Sequence, residues 1–199
     1  MKIELSNNLV VDPLIDSQIK TAVLCLQKGG VIAYPTEAVY GLGCAPLNEA
    51  AVMRILTLKS RPVHKGLILL SDNFEHVLPY VDLTTVSDKQ LNSVLQTWPG
   101  PYTWLFPASN KVPYWIKGDF ESVAIRVTAH PIAAQLCRLF QEPIVSTSAN
   151  ISGYPPARTS QEVMTQFEQN IDSIVSGAVD LSRGPSEIKD VLTGAIIRA

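Results

Sequence analysis

Three stretches of this 199-residue chain carry side chains suited to binding anions and small polar molecules. The first is a run of cations without acids. Residues 50–71 contain Arg54, Lys59, Arg61, His64 and Lys65 and no Asp or Glu. Residues 122–161 contain Arg126, Arg138 and Arg158 against Glu142 alone. Unpaired cations that meet in one cleft attract an anion there, whereas single surface lysines and arginines need no ligand. Lys59-Ser60-Arg61-Pro62 narrows the choice. Pro62 favours an extended Arg61, and side chains two apart in an extended segment point the same way. Lys59 and Arg61 are therefore expected to project together, a point charge beside a planar fork, which suits a polyphosphate.

The second stretch is Ser146-Thr147-Ser148-Ala149-Asn150-Ile151-Ser152-Gly153, directly after an apolar run. If it stays extended, Ser146, Ser148 and Asn150 face one side at a strand end, where open α/β sheets bind ligands. It reads equally as a polar loop whose Ser and Asn serve turns. The third runs from Gly29-Gly30 through Tyr34-Pro35-Thr36-Glu37 to Tyr40-Gly41-Leu42-Gly43. A buried strand there ends in a hydroxyl and a carboxylate, followed by glycines that permit close backbone approach. Taken alone it also fits a structural turn.

The elements that must position these groups alternate. Helices are expected over 13–28, 48–58, 87–97, 130–140 and 160–169. Strands are expected over 31–34, 67–70, 102–106, 123–127, 143–147, 173–176 and 195–198. Asp12 and Pro13 open the first helix and Gly29-Gly30 ends it, with Leu14, Ile15, Ile19, Val23 and Leu26 near one face. Val52, Ile55 and Leu56 point inward from the second helix, and Ile132, Leu136 and Leu139 form the stripe of the fourth. Alternating helices and strands indicate an α/β layer structure, and the prolines between Trp98 and Pro113 favour a mixed sheet over a parallel one.

Composition limits the function classes. Hydrophobic residues make up 46% and charged residues 17%, enough for a core and too little charge for disorder. With 16 Lys and Arg against 18 Asp and Glu, net charge is −2, so nucleic-acid contact would need a local patch. Cys25, Cys44 and Cys137 are isolated and fit buried thiols in a reducing compartment. No signal-like or membrane-length apolar run occurs, and a cytoplasmic location is expected. P-loop, nucleophile-elbow and zinc-ligand patterns are absent, and His64, His76 and His130 are scattered.

Six collinear motifs resemble the YrdC-like family of threonylcarbamoyl-AMP synthases in its short, single-domain bacterial form. They are Tyr34-Pro35-Thr36-Glu37 with Tyr40-Gly41-Leu42-Gly43, Lys59-Ser60-Arg61-Pro62, Pro99-Gly100-Pro101-Tyr102-Thr103, Ala124-Ile125-Arg126-Val127, Ser146-Thr147-Ser148-Ala149-Asn150, and Pro185-Ser186-Glu187-Ile188. The resemblance implies one catalytic domain over 12–199, preceded by an extension of residues 1–11. The implied fold is a twisted mixed sheet with flanking helices around a basic concave cavity. It also implies condensation of L-threonine, bicarbonate and ATP to threonylcarbamoyl-adenylate and diphosphate. That product serves N6-threonylcarbamoylation of adenosine 37 of tRNA, with transfer carried out by separate partner proteins.

By the same resemblance, Lys59 and Arg61 hold the phosphates with Ser148 and Asn150. Ser146 and Arg198 match nucleotide contacts, Thr36 and Ser186 match threonine contacts, and Arg126 is a further anion contact. Mg²⁺ is expected to travel with ATP and no protein metal ligand is assigned. Glu37 is the nearest carboxylate, for which a structural role serves as well. Two departures concern the threonine pocket. Many relatives have Ser-Thr-Ile-Val-Asp where this chain has Ser186-Glu187-Ile188-Lys189-Asp190, and longer relatives place a histidine where it has Leu69 and Leu70. The rival reading is an RNA-binding module without catalysis, whose binding would fall steeply with salt and need no ATP. A regulator that binds ATP without releasing diphosphate is a third.

Overall fold

The computed structural model describes residues 12–198 apart from Arg183 and Pro185. The expected extension over 1–11, the motif position Pro185 and the domain's last residue therefore lie outside the described residues. No helix among those described is long and apolar enough to cross a membrane.

The helices are α1 (Pro13–Gln27), α2 (Glu49–Leu58), α3 (Asp88–Leu95), α4 (Tyr114–Lys117), α5 (Pro131–Phe140) and α6 (Ser160–Phe167). The starts of α1, α2 and α3 follow from capping. The Asp12 carboxylate accepts from Leu14 N at 2.9 Å, Asn48 accepts from Ala51 N at 3.0 Å, and Ser87 forms a reciprocal box with Gln90. Ile19, Ala22, Val23 and Leu26 are the buried stripe of α1. Leu14, expected inward, is exposed because five residues place it roughly 140° around the helix from Ile19. In α5 the stripe is Ile132, Ala133, Leu136 and Cys137, and Leu139 faces outward.

Among the described residues nine strands form one sheet: β1 (Ile32–Pro35), β2 (Tyr40–Gly43), β3 (Ile68–Ser71), β4 (Tyr102–Pro107), β5 (Ser122–Val127), β6 (Ile144–Ser148), β7 (Ser173–Ile174), β8 (Glu187–Asp190) and β9 (Ile196–Arg198). Their order is β7-β1-β2-β6-β3-β5-β4-β8-β9. The pairs β1/β7, β3/β5 and β4/β8 are parallel and the others antiparallel, so the sheet is mixed as the prolines indicated.

Register determines what each face carries. Ser146, Ile68, Ala124 and Leu105 lie side by side across β6, β3, β5 and β4. One pleat further along the same face are Ile144, Leu70 and Arg126. Ile144, Leu70, Ile32 and Tyr34 are covered by Ile19, Val23 and Leu26 of α1 and Ile132 and Leu136 of α5. The opposite face, including Leu42, Leu69, Ile125 and Val145, packs on Val52 and Ile55 of α2, Val94 of α3 and Val163 and Phe167 of α6. α1 and α5 cover only part of their face, and the uncovered remainder is the floor of a cavity.

Candidate functional site

That cavity measures about 450 Å³, within the usual size of a small-molecule site. Ser146, Ile68, Ala124 and Leu105 form its floor. Five basic side chains border it, Arg61, Lys65, Lys117, Arg126 and Arg198, and among the described residues no Asp or Glu does.

The parallel strands β3 and β5 give the cavity two ends. Both begin at one end, just after Lys65 and Lys117, and both run toward the end that holds Arg126. From Ser122 to Arg126 the strand rises roughly 13 Å. β6 runs the other way, so Ser148 and then Asn150 lie toward the Lys65 end. Arg61 also belongs there, since its Nη2 donates to Gly66 O at 2.9 Å and Lys65 O at 3.3 Å. At the opposite end Arg126 lies near the close of β5, and the turn after β1 reaches it there, with Glu37, next to Thr36, 3.5 Å from its Nη2. Ser186 is tied there by Thr103, with the two hydroxyl oxygens 3.1 Å apart. Arg198 reaches Ser186 through Nη2, 2.8 Å from its carbonyl and 3.2 Å from its hydroxyl.

Lys59 is the one sequence-proposed residue that does not border the cavity. The expected extended Lys59–Arg61 segment does not form. Lys59 ends α2 in right-handed helical geometry, and Ser60 has φ 49°. Ser60 N donates to Thr57 O at 3.0 Å and Arg61 N to Leu56 O at 2.9 Å, a Schellman closure that reverses the chain. Lys59 and Arg61 still reach the same end of the site, by different routes. The Lys59 ammonium donates to the carbonyls of Ser148 and of Asn150, the latter at 2.8 Å, and to Asn150 Oδ1 at 3.2 Å. Asn150 Oδ1 also accepts from the Ser148 hydroxyl at 2.6 Å. The end of α2 is stitched to this loop again by Ser152 N, which donates to Lys59 O at 2.9 Å. Ser146 and Ser148 share a face as expected, and Thr147 between them borders the cavity too.

The cations repel one another. Burial, and next Arg61, push the Lys59 amine down to about 8. Burial, and next Arg198, hold Arg61 below the usual guanidinium range, and burial with Arg126 does the same to Arg198. Arg126 is 8% exposed, its Nε has no hydrogen-bond partner, and its Nη2 lies 3.5 Å from Glu37 Oε2. Burial raises the Glu37 carboxyl, but Arg126, the Thr128 hydroxyl at 2.7 Å and nearby backbone N–H groups bring it below its ordinary value overall. Glu37 thus serves as a structural counter-charge. Among the described residues no group of three or more His, Cys, Asp or Glu is arranged to hold a metal.

The cationic segments seen in the sequence do not all converge. Arg54 is held by Asp172 at 2.6 Å, far along the chain, and Arg138 lies 3.6 Å from Asp72. Gly41 leaves room between Thr36 and Ser146: a Cβ there would sit 3.4 Å from Thr36 Cγ2 and 3.5 Å from Ser146 Oγ. Leu69 and Leu70, where longer relatives have a histidine, are both fully buried, one in each core. Ile68 is the β3 residue that borders the cavity. Sequence reasoning missed Lys117 and Phe120, because α4 is a single turn between prolines and Gly118 with no periodic signal.

The Sua5/YciO/YrdC family model, whose description reads telomere recombination, matches residues 25–199. A threonylcarbamoyl-AMP synthase of Vibrio campbellii is 49% identical over 173 residues, covering 87% of this chain and 94% of the relative. The same-named protein of Escherichia coli O1:K1 is 48% identical over 194 residues, 98% of this chain and 99% of the relative. The solved structure of P. abyssi Sua5 complexed with L-threonine has a TM-score of 0.81 and 35% identity over 86% of this chain, which spans 50% of that longer protein. E. coli YciO gives 0.80 and 26% identity, over 92% of this chain and 88% of that one. Matched along most of its length by the family model and by relatives near half identical, the chain belongs to the Sua5/YciO/YrdC family.

Proposed function

We propose that this chain condenses L-threonine, bicarbonate and ATP to L-threonylcarbamoyl-adenylate and diphosphate, within one catalytic domain over 12–199. The observation that carries this reading is the acid-free cavity, in which three arginines that repel one another surround strand-end hydroxyls. ATP supplies about four negative charges to such a site, and developing charge on a transferring phosphoryl group is stabilised by fixed cations and N–H groups.

The two ends divide the work. Arg61, Ser148 and Asn150 bind the triphosphate at the Lys65 end, with Ser146 and Arg198 completing the nucleotide contacts. Lys59 acts with them by holding the Ser148–Asn150 loop and by adding its charge. At the other end Thr36 and Ser186 receive threonine, and Arg126 takes an anionic group such as its carboxylate or the carbamate. Threonine's amine and bicarbonate give the carbamate with loss of water, and a carbamate oxygen attacks the α-phosphate. Both substrates held in line make the step one of positioning and charge compensation, with no protein nucleophile. Mg²⁺ arrives on the phosphates of ATP. The adenylate then passes to pathway proteins that modify tRNA in the cytoplasm, and weak tRNA association with this chain is compatible with that order.

The test is a mixture of the purified protein with ATP, bicarbonate and L-threonine, followed by mass spectrometry for the adenylate. Product must vanish without threonine and fall with serine. Binding of RNA without any adenylate would replace this reading with that of an RNA-binding module, and ATP binding without diphosphate release would replace it with a regulator.

A further inference from the structure

The cavity has two lysines beyond the residues assigned above. Lys65 and Lys117 stand where β3 and β5 begin, on one wall with Arg61. The two short segments that carry them are locked together. Leu67 N donates to Ile116 O at 2.8 Å, Asp119 N donates to His64 O at 3.2 Å, and a Cβ on Gly66 would lie 3.0 Å from Lys117 O. Arg61 grips the same wall through the carbonyls of Lys65 and Gly66. The Lys117 ammonium has Glu121 at 3.4 Å, an exposed acid. Lys65 is exposed at the mouth, and among the described residues no ion pair or side-chain hydrogen bond engages its ammonium.

Displacement at the α-phosphate is in line: the attacking and leaving oxygens lie on opposite sides of phosphorus. With threonine and its carbamate at the Thr36, Arg126 and Ser186 end, the leaving group departs toward the other end. We propose that Lys65, supported by Lys117, is the ligand of the departing diphosphate. In the step, a bond forms between the carbamate oxygen and the α-phosphorus. The bond from that phosphorus to the bridging oxygen breaks, and the electron pair leaves with diphosphate. Negative charge thus grows on the bridging oxygen next to Arg61 and Lys65. An exposed ammonium at the mouth suits a group that must leave, whereas the buried Arg126 stands at the end that keeps the product.

This inference rests on the proposed adenylation, and the test separates the two. Calorimetry with Mg-diphosphate and with AMP is run on wild type, Lys65→Ala, Lys65→Arg and Lys65→Ala/Lys117→Ala. Loss of one charge-assisted contact at a partly exposed site is expected to weaken diphosphate binding roughly tenfold in Lys65→Ala, with a further loss in the double variant. AMP affinity stays within about twofold, which also reports an intact fold, and Lys65→Arg restores most of the diphosphate affinity. Product inhibition by diphosphate weakens by the same factor. Unchanged diphosphate affinity in Lys65→Ala, or an equal loss for AMP, overturns the assignment while adenylate formation by the wild type stands. A wild type that forms no adenylate overturns the parent reading and this one with it.

Discussion

Lys59 offers a test that needs no substrate. The residue is 4% exposed and its ammonium gives up its proton near 8 rather than 10.5, chiefly through burial. At 1.36 kcal/mol for each factor of ten in proton affinity, the buried charge costs the folded state about 3 kcal/mol at neutral pH. The sign follows from linkage. Between about pH 8 and 10.5 the unfolded chain keeps a proton that the folded chain has lost, so stability rises with pH across that window. The perturbation is Lys59→Met, which keeps most of the stem and removes the charge. Its unpaired Ser148 and Asn150 carbonyls carry a penalty that does not vary with pH. Urea unfolding of both proteins between pH 7 and 10.5 gives the difference, and groups common to both cancel. The wild type should gain about 3 kcal/mol on the variant across the range. A difference that stays flat would refute the idea that this ammonium is desolvated. In the same window, kcat/KM for ATP should fall as pH rises past about 8, because the free enzyme loses a cation at the phosphate end.

Other variants probe the two ends separately. Arg61→Ala should lower kcat/KM for diphosphate release by roughly 100-fold, as expected for losing one fixed donor to developing charge, with circular dichroism unchanged. Asn150→Ala removes an acceptor shared by Lys59 and Ser148 and should weaken ATP binding by about tenfold in calorimetry, whereas unchanged affinity would reject its role. Glu37→Gln leaves Arg126 without its buried counter-charge and should destabilise the fold by about 3 kcal/mol at pH 7. Since the Glu37 carboxyl is depressed in the folded state, that contribution is present above the ordinary carboxylate range and is lost as pH falls through the folded value. The wild type and Glu37→Gln should therefore converge in acid, as read by denaturation midpoints. Gly118→Ala is strained twice, by φ 65° and by a Cβ only 2.3 Å from His64 O, and should unfold the Lys65 wall at a cost of more than about 2 kcal/mol.

Elements with a cap or a strong period were legible in the sequence. α1 and α2 begin at the capping residues Asp12 and Asn48, and β3, β5 and β6 begin within one residue of the apolar runs that mark them. β2 and β8 were not seen as strands. Tyr-Gly-Leu-Gly has little strand propensity, and Glu-Ile-Lys-Asp alternates too briefly to register; both are strands because neighbours hold them in register. The candidate residues that border the cavity were nameable because hydroxyls, amides and cations recur in motifs, but their arrangement was not. The Schellman closure at Ser60 decides that Lys59 turns into the Ser148–Asn150 loop while Arg61 faces the cavity, and a local sequence rule about alternation predicted the opposite.

That division has an energetic reason. A cluster of cations without acids raises the energy of the unliganded fold, and burial and mutual repulsion both act on Lys59, Arg61 and Arg198. Each is held by neutral acceptors, the carbonyls of Ser148 and Asn150, of Lys65 and Gly66, and of Ser186. Carbonyl dipoles orient a cation without neutralising it. The positive potential therefore remains for an incoming polyanion, and the acceptors can yield contacts when phosphate oxygens arrive. Only Arg126 has a buried carboxylate beside it, at the end assigned to a single carboxylate rather than to three phosphates. Replacing one of the neutral acceptors with a carboxylate, as in Asn150→Asp, places a permanent counter-charge on Lys59. It should stabilise the unliganded protein and raise the Lys59 pKa, yet weaken ATP binding further than Asn150→Ala does. If Asn150→Asp bound ATP as well as the wild type, field strength would not be what the phosphate end provides.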